Sequence, residues 1–141
     1  MSNNAKEAVE ILEKLKEVLK YQYDYYKHMT TLNAGSILII IAVLEGIFKE
    51  PKGIIIILIS ISFFVLSLLC SLIIMSMTGN LVLYIAGVYA AFVAKDLEGI
   101  DKAGHKAEST HLKTRDIGIL NNIFFLLGIA MLVCFAFINF L

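Results

Sequence analysis

The chain has 141 residues, of which 59% are hydrophobic and 17% charged, and its twelve basic and twelve acidic side chains leave a formal net charge of zero. That balance excludes an ordinary water-soluble domain, whose apolar and charged shares run near about 45–50% and about 25%, and it offers no basic footprint for a nucleic acid. The expected class is an all-α integral membrane protein whose first partner is the lipid bilayer.

Residues 1–28 form the first predicted element. Ala8, Ile11, Leu12, Leu15, Val18, Leu19, Tyr25 and Tyr26 recur every three or four positions, which predicts an amphipathic helix. Its polar face places Glu10 with Lys14 and Asp24 with His28 at i,i+4, pairs that each support a helix by a few tenths of a kcal/mol. Five lysines are matched by five acids here, so the stripe is expected to face a partner helix rather than anionic lipid. The opening residues also lack the apolar stretch of a signal peptide. Insertion is therefore expected to start at the first span. Tyr21, Tyr23, Tyr25 and Tyr26 lie just ahead of that span, where a ring with a polar hydroxyl suits the boundary between lipid and water.

Residues 29–78 carry two predicted spans joined by "KEPKG", in which Pro51 and Gly53 favour a tight turn. Gly53–Met77 runs 25 residues without a charged side chain, and about 20 helical residues suffice to cross the hydrocarbon. Glu45 is the one carboxylate inside a span. Intramembrane acids are functional suspects, but Glu45 stands one turn before Lys49, so pairing and a reach to the interface are expected instead. Ser60, Ser67 and Ser71 share one seam, which reads as a helix-contact face. Cys70 and Cys134 lie deep in apolar runs and read as small hydrophobes.

Residues 79–116 bring two signals into conflict. "SMTGN", Ser76 to Asn80, has turn-forming residues; a reversal there would send the apolar run Asn80–Ala94 back through the membrane as one of four spans. Against it, Leu81 to Ala94 makes only about 21 Å of helix, short of the roughly 30 Å slab. With three spans, ten of the twelve Lys and Arg fall on one side and only Lys49 and Lys52 on the other, which sets a cytoplasmic N-terminus. Three spans are therefore expected. The apolar run then becomes a cytoplasmic helix, part of a small helical hairpin whose tip is flanked by Gly99 and Gly104. Because "HKAESTHLKTRD" reads as too polar to cover it, the N-terminal stripe is expected to do so, with Ala86, Gly87, Ala90 and Ala94 permitting close packing.

Residues 117–141 supply the last span, 25 residues from Ile117 without a charged side chain. Nowhere does the chain carry a phosphate-cradling glycine loop, an HExxH or a GxSxG. His105, Glu108 and His111 match no zinc spacing, so no metal, cofactor or catalytic residue is expected and the chain does not read as an enzyme.

The run "KHMTTLNAGSILIIIAVLEGIFKEPK", Lys27 to Lys52, resembles a family of uncharacterised small prokaryotic membrane proteins with three spans. The resemblance implies an inside N-terminus and an inner-membrane location, and it brings no activity with it. The resulting expectation is a homo-oligomeric binding, scaffolding or accessory component, with another membrane protein as a further candidate partner. The alternative is an oligomeric pore or membrane-disrupting effector built along the serine seam.

Overall fold

In the computed structural model the chain forms three long helices, α1 (Asn3–Ile47), α2 (Ile54–Ala94) and α3 (Leu97–Phe140). The structure describes residues 3–47 and 52–140, without the side chains of residues 3–9, 11, 12, 45–47 and 140. Each helix is long and apolar enough to cross a membrane. At 1.5 Å per residue they reach about 60 to 70 Å, roughly twice the hydrocarbon thickness.

The boundaries at residues 28, 78 and 116 therefore fall inside continuous helices. α1 carries the amphipathic stripe and the first apolar run as one element, and α2 passes through Gly79 and Asn80 without reversing. Both residues permit a turn but do not demand one. The flanking Ile74, Thr78 and Leu81 are buried, and that packing outweighs the ~1 kcal/mol that a helical glycine costs.

Packing follows one rule along the whole length. The buried residues of α2, from Ile57 through Ser60, Phe64, Ser67, Ser71, Ile74 and Thr78 to Leu81, are spaced alternately by three and four. α1 repeats the pattern with Leu19, Gln22, Tyr26, Met29, Asn33, Ser36 and Ile40, all buried or half-buried. In α3 it runs from Ile100 through Ala103, Ala107 and Thr110 to Thr114, takes one additional step of four to Gly118, and resumes through Asn121 and Phe125 to Gly128. This is a heptad repeat, the signature of knobs-into-holes packing with a gentle left-handed winding. α2 lies in the middle and packs more extensively on α3 than on α1.

Two turns close the bundle. Gly53 sits in the left-handed region at φ 72°, and its carbonyl accepts from Ile56 N–H at 2.9 Å. Asn139 clasps the Lys52 peptide from both sides, accepting its N–H and donating to its carbonyl, each at 2.9 Å. At the other end Asp96 N–H donates to Ala91 O at 2.9 Å and Lys95 N–H to Phe92 O at 3.2 Å, a Schellman pair. Lys95 takes the left-handed position that glycine usually fills, at φ 55°. Asp96 then caps α3 by accepting Gly99 N–H at 3.1 Å. The hairpin tip is thus Lys95–Asp96; Gly99 and Gly104, expected to flank it, both lie within α3.

The apolar half holds the hydrophobic core, built from Ile40, Ile57, Phe64 and Phe135. Phe64 and Phe125 meet edge to face with centroids 5.8 Å apart, and Gly128 leaves room for the Phe64 ring. The other half, an arm, combines residues 3–28 of α1, the distal end of α2 and residues 97–116 of α3. There the cover for α2 differs from the one anticipated. Gly87 faces Ala103 of α3, with Ile100, Ala107 and Thr110 half-buried on the same side. The apparently polar segment thus presents a face of small and hydroxyl side chains, and this face does much of the covering.

Candidate functional site

Where the arm meets the apolar half, the core turns polar. Asn33 of α1, Ser67 and Ser71 of α2 and Asn121 of α3 are fully buried. Their positions belong to the same heptad line as the aliphatic residues above and below, so backbone geometry alone points them inward. Asn33 Nδ2 donates to Met29 O at 2.9 Å and to Ser67 Oγ at 3.0 Å. Ser67 Oγ donates to Asn121 Oδ1 at 2.7 Å, and Ser71 Oγ reaches the same oxygen at 3.2 Å. One hydroxyl therefore links all three helices. Oδ1 of Asn33, an acceptor, and Nδ2 of Asn121, a donor, are buried without a hydrogen-bond partner.

Further hydroxyls extend this layer in both directions. Ser60 Oγ donates to Gly128 O at 2.7 Å, tying α2 to α3 where α3 has no side chain. Thr78 and Thr114, both buried, return their hydroxyls to Ile74 O and Thr110 O of their own helices. The layer holds carboxamides and hydroxyls and no ionisable group, so its chemistry is hydrogen bonding between helices.

Its depth follows from the helices. The rise from Asn122 to Asn139 is about 26 Å, close to a hydrocarbon thickness. Tyr25 donates to Asn122 Oδ1 at 3.2 Å, one residue from the polar layer. Tyr26 is buried, stands edge-on to Tyr25 at 5.0 Å and lies against Gly118. Tyr21 and Tyr23 are exposed, Tyr21 reaching Glu17 at 3.4 Å. Tyr25 is exposed as well, so three of the four tyrosines reach the surface and only Tyr26 is buried, while Tyr25 and Tyr26 both touch α3.

The remaining expected residues are dispersed. Ala86 lines a groove of about 440 Å³ between α1 and α2, together with Leu19, Val82, Ile85 and Tyr89 and with Glu13 and Lys16 on its rim. Gly87, Ala90 and Ala94 are exposed, so Ala90 and Ala94 do not form the close contact with α1 that was expected of them. The side chains of Glu45 and Lys49 lie outside the described residues. His105 is 3.6 Å from Asp101 on an exposed face, and among the described residues no three His, Cys, Asp or Glu cluster as metal ligands would.

Sequence reasoning missed Asn33 and Asn121 as a pair. The available signal was the carboxamides inside the apolar runs, Asn33 in the first and Asn121 beside Asn122 in the last, a residue type that glues membrane helices together. Comparison with protein-family models, with curated proteins and with solved structures finds no match to this chain.

Proposed function

We propose that this chain is an inner-membrane protein with three spans and a cytoplasmic N-terminus, acting as a binding or scaffolding component that presents a helical arm to the cytoplasm. The observation that carries this reading is the unbroken course of α2 through Gly79 and Asn80. It leaves the polar segments of α1 and α3 at one end of the bundle and the Lys52–Gly53 turn at the other. The excess of Lys and Arg at the arm end, ten against two, supports the orientation. A heptad register shared by arm and core supports the scaffolding role, because it joins the outer surface stiffly to the anchored helices.

A pore lined by the serine seam draws less support. Ser60, Ser67 and Ser71 spend their hydroxyls on Gly128 and Asn121 of the same chain, leaving none to line a shared channel.

Membrane-impermeant thiol labelling of single cysteines at Glu50 and Ser109, in a Cys70→Ala, Cys134→Ala background, tests the topology. Labelling at Glu50 alone in intact cells is expected; labelling at Ser109 as well would refute three spans. Ion flux through liposomes that rises with protein density would revive the pore.

A further inference from the structure

We propose that the outward face of α2 in the arm is the seat of a second copy of this chain, packed parallel about a two-fold axis along the bilayer normal. The inference rests on the three-span reading, which holds both copies upright in one membrane.

It starts from a contrast between helices in the same surroundings. In the arm, α1 and α3 intersperse charge among their exposed apolar residues such as Val18 and Leu112, including the exposed pairs Lys14–Glu10 at 2.8 Å and Lys102–Glu98 at 2.7 Å. The segment of α2 from Thr78 to Ala94 has no charged residue at all. Yet Leu83 is 68% exposed, Val93 64% and Leu97, just past the turn, 81%. A contiguous apolar face on an element that stands in water marks an interaction site.

The size of the face suits a specific contact. Each of those three side chains leaves on the order of 100 Å² uncovered, and the small residues between them bring the face to about 500 Å²; two copies would bury about 1,000 Å², where specific interfaces begin.

The shape of the face favours a second copy over a soluble partner. Ser76, Gly79, Leu83, Ala86, Ala90 and Val93 are all exposed and alternate by three and four residues, and at Ala86 the line borders the groove beside α1. With Leu72, Leu69 and Val65, exposed at the same spacing, they form a second heptad line that runs from the apolar half to the tip. A protein approaching from the cytoplasm meets only the upper part. A helix that is itself upright in the membrane can follow all of it, and α2 of a second copy does so with its own identical line in register. Ser76, Gly79, Ala86 and Ala90 let two backbones approach closely. A two-fold axis makes the contact isologous and closes the assembly at two.

The test uses the full-length protein with Cys70→Ala and Cys134→Ala. Single cysteines at Ala86 and Ala90, oxidised in membrane vesicles, should give cross-linked dimers, and a cysteine at Lys106 on α3 should not. In detergent the parent protein should sediment with the mass of two copies, and Leu83→Glu should lower the dimer fraction about tenfold. At a dilution where the parent is itself monomeric, its unfolding temperature should not change, because Leu83 is exposed within one chain. A monomeric mass at every protein-to-detergent ratio without cross-links would overturn the proposal. So would cross-linking that is strongest at Lys106, or a different protein found on the face. Labelling at Glu50 and Ser109 reads topology separately, so loss of the dimer and loss of the three-span reading give different results.

Discussion

The Ser67 hydroxyl lies 2.7 Å from Asn121 Oδ1 and 3.0 Å from Asn33 Nδ2, donating to the first and accepting from the second. It is the only described side chain that hydrogen-bonds to both outer helices, and it stands on a heptad line otherwise filled by residues such as Ile57 and Phe64. A polar residue at such a position fixes the register of neighbouring helices at some expense in stability.

Asn121→Leu should therefore be costlier than Asn33→Leu. The first removes the acceptor shared by Ser67 and Ser71 and strands two buried hydroxyls, for a loss of about 1–3 kcal/mol. The second removes the unpartnered Oδ1 along with the donor, and leaves the Ser67–Asn121 bond in place, so about 1 kcal/mol or less is expected. Chemical unfolding in detergent checks the order; equal losses would show that the layer does not work through Asn121.

Replacing the whole layer should separate stability from register. Asn33→Leu, Ser67→Ala, Ser71→Ala and Asn121→Leu together leave no orphaned polar atom, so the fold should retain its stability to within about 1–2 kcal/mol. Cysteine pairs placed across α1 and α2 should then cross-link at more than one register, where the parent protein gives one. A single register in the variant would mean that the apolar layers alone align the helices.

Gly104 offers a test of where the hairpin turns. A side chain added there meets nothing within 4 Å, and the residue is helical. Gly104→Ala should stabilise the protein by about 0.5–1 kcal/mol, measured as a higher melting temperature. A loss would return the residue to a turn.

At the true tip, Lys95→Gly should stabilise the left-handed position by about 1 kcal/mol. Asp96→Ala should cost about 1 kcal/mol through the lost bond to Gly99 N–H. Hydrogen exchange at the first turn of α3 would report both changes.

In the core, a Cβ at Gly128 would sit 3.1 Å from two atoms of the buried Phe64 ring. Gly128→Val should lower stability by about 1–3 kcal/mol through overpacking. Pairing it with Phe64→Leu should recover part of the loss, and a failure to do so would remove the ring as the obstacle.

The all-α class and the three long apolar stretches were legible in the sequence, because the runs in α2 and α3 are long enough to span a bilayer and the amphipathic spacing before Met29 is regular; that each stretch continues as one helix across residues 28, 78 and 116 was not. The uninterrupted course of α2 was harder to read. Gly79 and Asn80 carry the chemistry of a turn, while the packing that keeps them helical involves residues far away in sequence. The covering role of α3 was hidden for another reason. Ala103, Ala107, Thr110 and Thr114 are weakly apolar one at a time, so the segment reads as polar unless they are aligned at heptad spacing. In α2 the opposite holds: nearly every position is apolar, and only the small polar residues Ser60, Ser67 and Ser71 reveal which side turns inward. The pairing of Asn33 with Asn121 needs the bundle itself, since neither residue predicts the other's depth.

The hydrogen-bonded layer does not divide the bundle evenly. Along α2, Ser67 stands about 20 Å from the Ile54 end and about 40 Å from the Ala94 end. A stiff rod held there would act as a lever with a fulcrum: a push at the Lys95–Asp96 tip would reappear at the Lys52–Gly53 end with about half the travel and about twice the force.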